Sequence, residues 1–181
     1  MAITRPITEQ EFMALPDDGN SYELVDGRLR VSPKATPRHG RTIARLLARL
    51  AAFVDTNRLG EVFAPETGFR MPGGNVRGPD ITFVRRDRLT ADSMLDHFLG
   101  PPDLAVEVLS PHDREHPREL MDKIGEYMES GVALVWVIDD AKRRALVYRS
   151  IDEVRPVPVE AALDGEDVVP GFSCPLTDLF E

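Results

Sequence analysis

The sequence predicts an α/β fold with an N-terminal β-hairpin, followed by short apolar strands that alternate with amphipathic helices. The hairpin is indicated by Asp26-Gly27, which lies between the extended segments Tyr22–Val25 and Leu29–Val31. This dipeptide favours a type I′ turn, because both central residues of that turn need positive φ. Apolar residues at helical spacing mark Arg38–Val54 and His116–Ser130 as helices, with strand-like apolar runs between and after them.

The remaining elements follow from local signals. Thr8 can cap a helix that reaches Leu15, and the turn formers after it include Asp17 and Gly19. Gly131 is expected to end the last long helix as a C-terminal cap. The segment 85–100 is expected to be irregular and partly helical, and the proline-containing tail to pack irregularly on the sheet. The predicted strands after the hairpin are Glu61–Arg70, Ile81–Val84, Asp103–Leu109, Ala133–Ile138 and Ala145–Arg149.

Length and composition favour one domain spanning residues 1–181. With 42% hydrophobic residues, the chain is long enough to bury a sizeable core. Its single cysteine, Cys174, excludes an intrachain disulfide and any zinc site built on several thiolates. The first ten residues lack the apolar core of a signal peptide, and no run approaches the roughly 18 apolar residues of a membrane span. We therefore expect a cytoplasmic protein without membrane association.

The charge distribution along the chain is compatible with one basic surface. A net charge of −9 argues against indiscriminate binding to nucleic acid, whose phosphates attract Lys and Arg. From Gly27 to Val54, however, there are seven basic residues and no acidic one. Four of them form a stripe on the predicted helix, which is either a solvated face or a track for a phosphate backbone. They are Arg38, Arg41, Arg45 and Arg49.

Two carboxylates occupy unusually apolar strands. Asp80 follows Pro79 and opens the strand Ile81–Val84, and Glu107 interrupts the run Leu104–Leu109. An ionised carboxylate in such surroundings costs several kcal/mol unless a cation, a metal or hydrogen bonds compensate. The alternative is that a half-exposed sheet points both acids into water.

Paired carboxylates without a His or Cys cluster favour a hard ion such as Mg²⁺, which prefers oxygen ligands and keeps several waters. Such an ion can activate water and stabilise charge on a phosphate, provided that a nearby cation assists. Lys123 can supply that cation. Its alternative partners are Glu119 and Glu126, at helical spacings of four and three, in a surface ion pair worth tenths of a kcal/mol.

These residues resemble the Uma family of bacterial restriction-endonuclease-like proteins, within the PD-(D/E)xK nuclease superfamily. The resemblance covers nearly the whole chain. It rests on Pro79-Asp80, on Val106-Glu107-Val108-Leu109-Ser110-Pro111, on Lys123 four residues before Tyr127, on Gly131-Val132 and on Trp136-Val137-Ile138-Asp139, with Tyr22 to Gly27, His39 and Pro170-Gly171-Phe172 as further family features.

The resemblance implies a restriction-endonuclease-like core, in which a mixed central β-sheet is flanked by α-helices. It also implies phosphodiester hydrolysis in nucleic acid, with DNA the expected substrate. Mg²⁺ or Mn²⁺ would be held by Asp80, Glu107 and the main-chain carbonyl of Val108. The superfamily pattern places a lysine two residues after the glutamate, where this chain has Leu109. In the Uma-like variant the lysine comes from the following helix, and Lys123 is in the matching place.

Four further residues have two interpretations each. Glu23 and Glu66 either support the metal site or are solvated acids. His39 either contacts a phosphate or caps the basic helix. Tyr127, one turn after Lys123, either orients the ammonium or packs beneath it.

Three hypotheses remain open at this stage. The first is a Mg²⁺-dependent nuclease, for which a homodimer would place two identical sites around a two-fold axis. The second is a catalytically silent nucleic-acid-binding or ligand-binding module of the same fold, and the third is an assembly domain. A hydrolase triad of Ser110, His112 and Asp113 is disfavoured, because residues this close in sequence rarely converge.

Overall fold

The computed structural model describes residues 5–16, 18, 20–32, 35–91, 94 and 99–181. The predicted turn residues Asp17 and Gly19, and much of the predicted irregular segment before residue 99, lie outside the described residues. None of the helices in this described part is both long and apolar enough to cross a membrane.

The described chain alternates helices and strands as the sequence predicts. The helices are α1 (Glu9–Met13), α2 (Pro37–Asn57), α3 (Pro111–Glu115), α4 (Pro117–Glu129) and α5 (Thr177–Phe180), and a 3₁₀ turn covers Arg86–Arg88. The strands are β1 (Ser21–Val25), β2 (Arg28–Ser32), β3 (Gly60–Phe63), β4 (Phe69–Arg70), β5 (Val76–Arg77), β6 (Ile81–Arg85), β7 (Leu104–Val108), β8 (Leu134–Asp139), β9 (Arg144–Tyr148), β10 (Val154–Val157), β11 (Ala162–Asp164) and β12 (Ser173–Pro175).

The central sheet is mixed, as expected. Its six strands follow the order β10-β9-β8-β7-β6-β3, and the β7–β8 pair is parallel while the other neighbours are antiparallel. A parallel pair needs a crossover connection, which α3 and α4 provide. Helix α2 packs its buried residues, among them Leu46 and Leu50, on one face of the sheet. Helix α4 places Ile124 and Tyr127 on the other face.

The predicted hairpin is present, and its turn has the expected conformation. Asp26 and Gly27 both have positive φ, at 50° and 69°, and β1 and β2 pair antiparallel around them. Strand β1 also pairs with β5 through Leu24 and Val76. The resulting four-stranded sheet, in the order β2-β1-β5-β4, brings Glu23 and Arg77 onto adjacent strands.

Two predictions about the strands are wrong. The predicted strand Glu61–Arg70 is interrupted, because Glu66 adopts a positive φ of 73° in a turn and the chain crosses from β3 to β4. The tail is also more regular than expected: β10 extends the central sheet, and β11 pairs with β12. Pro156 fits in β10 because this strand lies at the sheet edge, where proline removes no hydrogen bond that a further strand would need.

Candidate metal and catalytic site

Strand alternation places Glu107 on the α4 side of the central sheet. Leu104, Val106 and Val108 contribute to the core beneath α2, whereas Ala105 belongs to the core beneath α4. Since successive side chains point to opposite faces, Glu107 shares the α4 face with Ala105. Asp80 lies just before β6, the antiparallel neighbour of β7, and its Oδ2 accepts a hydrogen bond of 2.7 Å from the Val108 amide.

Both carboxylates are largely withdrawn from water. The side chain of Glu107 is 11% exposed and that of Asp80 is 20% exposed. The alternative of a solvated sheet face is therefore wrong, because α4 covers this face and joins its core. Both groups line a cleft of about 1440 Å³ that also contains His39, Lys123 and Glu23.

Lys123 lies beside the carboxylates. Its Nζ is 2.8 Å from Glu107 Oε1 and 3.1 Å from Glu23 Oε1. The alternative of a surface ion pair on α4 is wrong, because the two helical acids have other partners. Glu119 pairs with Arg30, and Glu126 pairs with Arg77. The ammonium thus reaches the glutamate from α4, while Leu109 packs against the core.

Tyr127 is linked directly to Glu107. It is fully buried, and its hydroxyl donates a hydrogen bond of 2.7 Å to Glu107 Oε1. The ring centre is 5.9 Å from Lys123 Nζ. Tyr127 therefore packs beneath the ammonium, and its hydroxyl contacts the carboxylate that the ammonium contacts; that it orients the ammonium stays a prediction.

The close spacing of these groups shifts their pKa values. Burial, together with the neighbouring charges of Asp80 and Glu23, raises the pKa of Glu107 to about 7 despite the opposing charge of Lys123. Burial alone would lower the pKa of Lys123, but Glu107 and Glu23 raise it above its ordinary value. Lys123 therefore stays protonated near neutral pH and can act as a hydrogen-bond donor, with no lone pair to serve as a base.

Glu23 belongs to a buried ion-pair network. It is 8% exposed, so the interpretation as a solvated acid is wrong. Its Oε1 accepts a hydrogen bond from the Gly78 amide at 2.9 Å, and its Oε2 accepts one from Arg77 Nη1 at 3.1 Å. Although burial opposes ionisation, the charges of Lys123 and Arg77 lower the pKa of Glu23 below its usual range.

Arg77 was missed by sequence analysis. It is 6% exposed and bridges Glu23 to Glu126, whose Oε2 lies 2.6 Å from Arg77 Nε. Asn75 donates a further hydrogen bond of 2.6 Å to Glu126 Oε1. These contacts connect α4 to the four-stranded sheet and so help to position Lys123 beside Glu107. Arg77 occupies a glycine-rich segment without periodicity, so no local pattern distinguishes it from a solvated arginine.

His39 extends the site toward α2. Its Nε2 lies 3.4 Å from Asp80 Oδ2, and the helix cap is supplied by Thr36, whose hydroxyl accepts a hydrogen bond from the His39 amide. Burial alone would lower the pKa of His39, but Asp80 and the Val108 carbonyl raise it. That carbonyl is therefore close to the same edge of the site. Glu66 lines the cleft but is exposed.

Three of the four arginines in the stripe contact α5. Arg45 donates to the Leu179 carbonyl, and Arg49 lies 3.5 Å from Asp178, so both contact α5. Arg41 donates to the Phe180 carbonyl at 3.1 Å, and Arg38 is exposed. The stripe therefore helps to fasten α5 to α2, and nucleic-acid binding by its members stays a prediction.

Ser110 and Asp113 form a helix cap. The Ser110 hydroxyl accepts a hydrogen bond from the Asp113 amide, and the Asp113 carboxylate accepts one from the Ser110 amide. This is a capping box at the start of α3. Sequence analysis disfavoured a triad here, and these contacts assign the two side chains to the cap.

The polar groups fit a hard divalent cation bound mostly through water. Within the described residues, no group of three or more His, Cys, Asp or Glu side chains is arranged to hold a metal. Mg²⁺, however, commonly uses one or two carboxylates and keeps its waters. In the same described part, no hydrogen bond reaches Asp80 Oδ1 or Glu107 Oε2, so each carboxylate retains an oxygen for a ligand.

The charge balance agrees with this fit. Four carboxylates of the network share only two permanent cations, and repulsion among the acids helps to raise the pKa of Glu107. A divalent ion would offset that repulsion. The carboxylates are Glu23, Asp80, Glu107 and Glu126, and the cations are Arg77 and Lys123.

Comparison with known proteins agrees with the resemblance deduced from the sequence. A crystal structure described as a "putative nuclease belonging to DUF820", from Anabaena variabilis, superimposes with a TM-score of 0.83 at 22% identity, covering 97% of this chain and 98% of the other. At that identity the likeness shows the fold. No protein with a curated description matches the sequence significantly. The Uma2 family model, described as "Putative restriction endonuclease", matches residues 9–177. The chain therefore belongs to the Uma2 family.

Proposed function

We propose that this protein is a divalent-metal-dependent nuclease that hydrolyses phosphodiester bonds in nucleic acid. The observation that carries the proposal is the pair of buried Glu107 and partly buried Asp80, each with one oxygen free of hydrogen bonds from the described residues, beside the protonated Lys123. The descriptions of the family and of the similar structure name the same class of activity.

The proposed ligands are Asp80, Glu107 and the main-chain carbonyl of Val108. Mg²⁺ is the proposed ion, with Mn²⁺ as a substitute, because all three ligands offer oxygen. When bound, such an ion supplies an activated water and offsets the charge that develops on the phosphate.

Lys123 is the proposed catalytic cation. Its ammonium lies between Glu107 and Glu23 and keeps its proton, so it can donate a hydrogen bond to the attacking water or to a phosphate oxygen. The two partners of that ammonium are themselves held in place, Glu107 by Tyr127 and Glu23 by the Gly78 amide. His39 can donate to a phosphate oxygen at the Asp80 edge. Glu66, exposed on the cleft wall, is proposed at most to bind water near the site.

DNA is the proposed substrate, because the family is described as a restriction endonuclease. A homodimer is the proposed assembly for double-strand cleavage, because a two-fold axis would present one site to each strand.

The test is hydrolysis of labelled single-stranded and double-stranded DNA and RNA with Mg²⁺ or Mn²⁺. The wild-type protein should cleave at least one substrate and lose cleavage in EDTA. Asp80→Asn and Glu107→Gln should abolish both cleavage and calorimetric Mn²⁺ binding. The matched control is Glu61→Gln, at an exposed acid on β3 away from the site, which should behave like wild type.

Two outcomes would contradict the proposal. Mn²⁺ binding that persists in both site variants would show that the two carboxylates are not ligands. Nucleic-acid binding without metal-dependent turnover by the wild-type protein would favour the catalytically silent module instead.

A further inference from the structure

A small groove beside the candidate metal site is lined by three arginines from two elements. It has a volume of about 140 Å³, and its walls include Arg38 and Arg41 of α2, Arg143 from the turn between β8 and β9, and Phe180 of α5. Arg143 was not among the residues that the sequence singled out, because it is distant from α2 along the chain.

The groove lies at the same edge of the sheet as the metal ligands. Arg38 directly precedes His39, whose ring contacts Asp80. Strands β7 and β8 are parallel, with Val108 opposite Ile138, so the turn that carries Arg143 leaves the sheet at the Val108 end. A strand of nucleic acid whose scissile phosphate met Asp80 would therefore pass close to these arginines.

The three guanidinium groups have no carboxylate partner among the described residues. Arg41 donates one hydrogen bond to the Phe180 carbonyl, and Arg143 lies 5.8 Å from the centre of the Phe180 ring. The one acid among the described lining residues of the groove, Asp140, forms an ion pair with Arg114, which is not part of the groove. Arg49 in the same stripe, by contrast, pairs with Asp178.

We infer that this groove binds a phosphate of the substrate strand next to the one that is cleaved. Guanidinium groups suit this task, because their N–H donors match phosphate oxygens in a bidentate geometry and keep their charge at every relevant pH. The groove would set the register of the strand on the protein, as backbone contacts do generally. The inference rests on the proposed nuclease function and assigns the backbone contact to Arg38, Arg41 and Arg143, with Arg45 and Arg49 excluded.

The test uses Arg38→Gln, Arg143→Gln and the double variant, each combined with Glu107→Gln to block cleavage, with fluorescein-labelled 20-mers in Mg²⁺. Each single variant should weaken binding about tenfold at 0.1 M salt. The slope of log K against log salt should also fall. Because the arginines of the groove would share one phosphate, the double variant should lower the slope by no more than about 0.9 for a duplex or about 0.7 for a single strand, and each single variant should show part of that change.

The matched control is Arg58→Gln, at the far end of α2, roughly 30 Å along the helix from Arg38. It should leave the salt slope unchanged, and all variants should melt within a few degrees of their parent. An equal loss in Arg58→Gln, or an unchanged slope in the groove variants, would overturn the inference. Inorganic phosphate that bound the groove as tightly as the 20-mer would also overturn it, by making the groove a small-anion site.

Cleavage by the wild-type protein, compared with the salt slope of the groove variants, distinguishes failure of this inference from failure of the proposed function. Cleavage with an unaffected salt slope in the groove variants would refute the groove alone. Binding that depends on the groove, without cleavage, would refute the nuclease and retain the phosphate site. Neither binding nor cleavage would refute both.

Discussion

Metal binding by this protein should be strongly pH-dependent, because Glu107 must lose a proton before it can act as a ligand. Its pKa is raised from the ordinary 4.5 to about 7 by burial and by neighbouring carboxylates. Below that pKa the ion has to displace the proton, and above it no proton is displaced. Apparent affinity should therefore fall about tenfold per pH unit below about pH 7 and level off above it.

The raised pKa makes the effect large enough to measure. Between pH 8 and pH 5.5, a ligand with a pKa of about 7 weakens binding about thirtyfold, whereas an unshifted carboxylate would weaken it by only about a tenth. Calorimetry with Mn²⁺ in two buffers of different ionisation enthalpy should show the release of about 0.9 protons at pH 6 and about 0.1 at pH 8.

His39 needs a separate control, because its pKa is also raised and it contacts Asp80. A protonated His39 would oppose the ion in the same pH direction. The His39→Asn variant removes that contribution, and the slope that remains belongs to Glu107. A change of less than twofold between pH 8 and pH 5.5 in His39→Asn would refute the reasoning, whereas Glu61→Gln should keep the full pH dependence.

Three further substitutions test other parts of the site. Lys123→Met should reduce single-turnover cleavage by about 10²–10³-fold while calorimetric Mn²⁺ affinity stays nearly constant, because the ammonium acts on water and phosphate. The double variant with Leu109→Lys should recover part of the rate. Full activity of Lys123→Met would show that Lys123 takes no part in the mechanism. Arg77→Met should lower the free energy of unfolding in urea by about 3–5 kcal/mol, because it leaves buried acids unpaired. Adding Glu126→Gln should restore part of the loss. A loss below about 1 kcal/mol would contradict the stabilising role of the ion-pair network. Ser110→Ala should cost about 1 kcal/mol through its cap and leave cleavage unchanged, whereas loss of cleavage would revive a catalytic serine.

Much of the fold was predictable, because short-range chemistry dominates its elements. The positive φ values of Asp26 and Gly27 are those of the turn that this dipeptide favours. Gly131 ends α4 with a φ of 91°, as a left-handed C-terminal cap should. Helix α2 buries Ile43, Leu46 and Leu50, which lie at the helical spacing that predicts this helix from the sequence.

The two errors about the strands have different causes. Pro156 and its neighbours have weak periodicity, yet β10 exists because β9 offers an unpaired edge. There, backbone hydrogen bonds to another segment stabilise a conformation that the segment would not select alone. The turn at Glu66, by contrast, has a local signal: Pro65 cannot donate a backbone hydrogen bond within a strand and suits the second position of the β-turn closed by the Thr67 amide and the Ala64 carbonyl.

The candidate site likewise combines residues that the sequence indicates with residues that only the tertiary structure brings together. Asp80 and Glu107 could be recognised from sequence, because a carboxylate in an apolar strand is costly and therefore informative within a few residues. Long-range packing decided which partners the other site residues contact. It brought Lys123 to Glu107 instead of Glu119, buried Arg77 between Glu23 and Glu126, and grouped Arg143 with Arg38. The charge of a side chain can be read from one position, but its partner depends on which distant elements the core brings together.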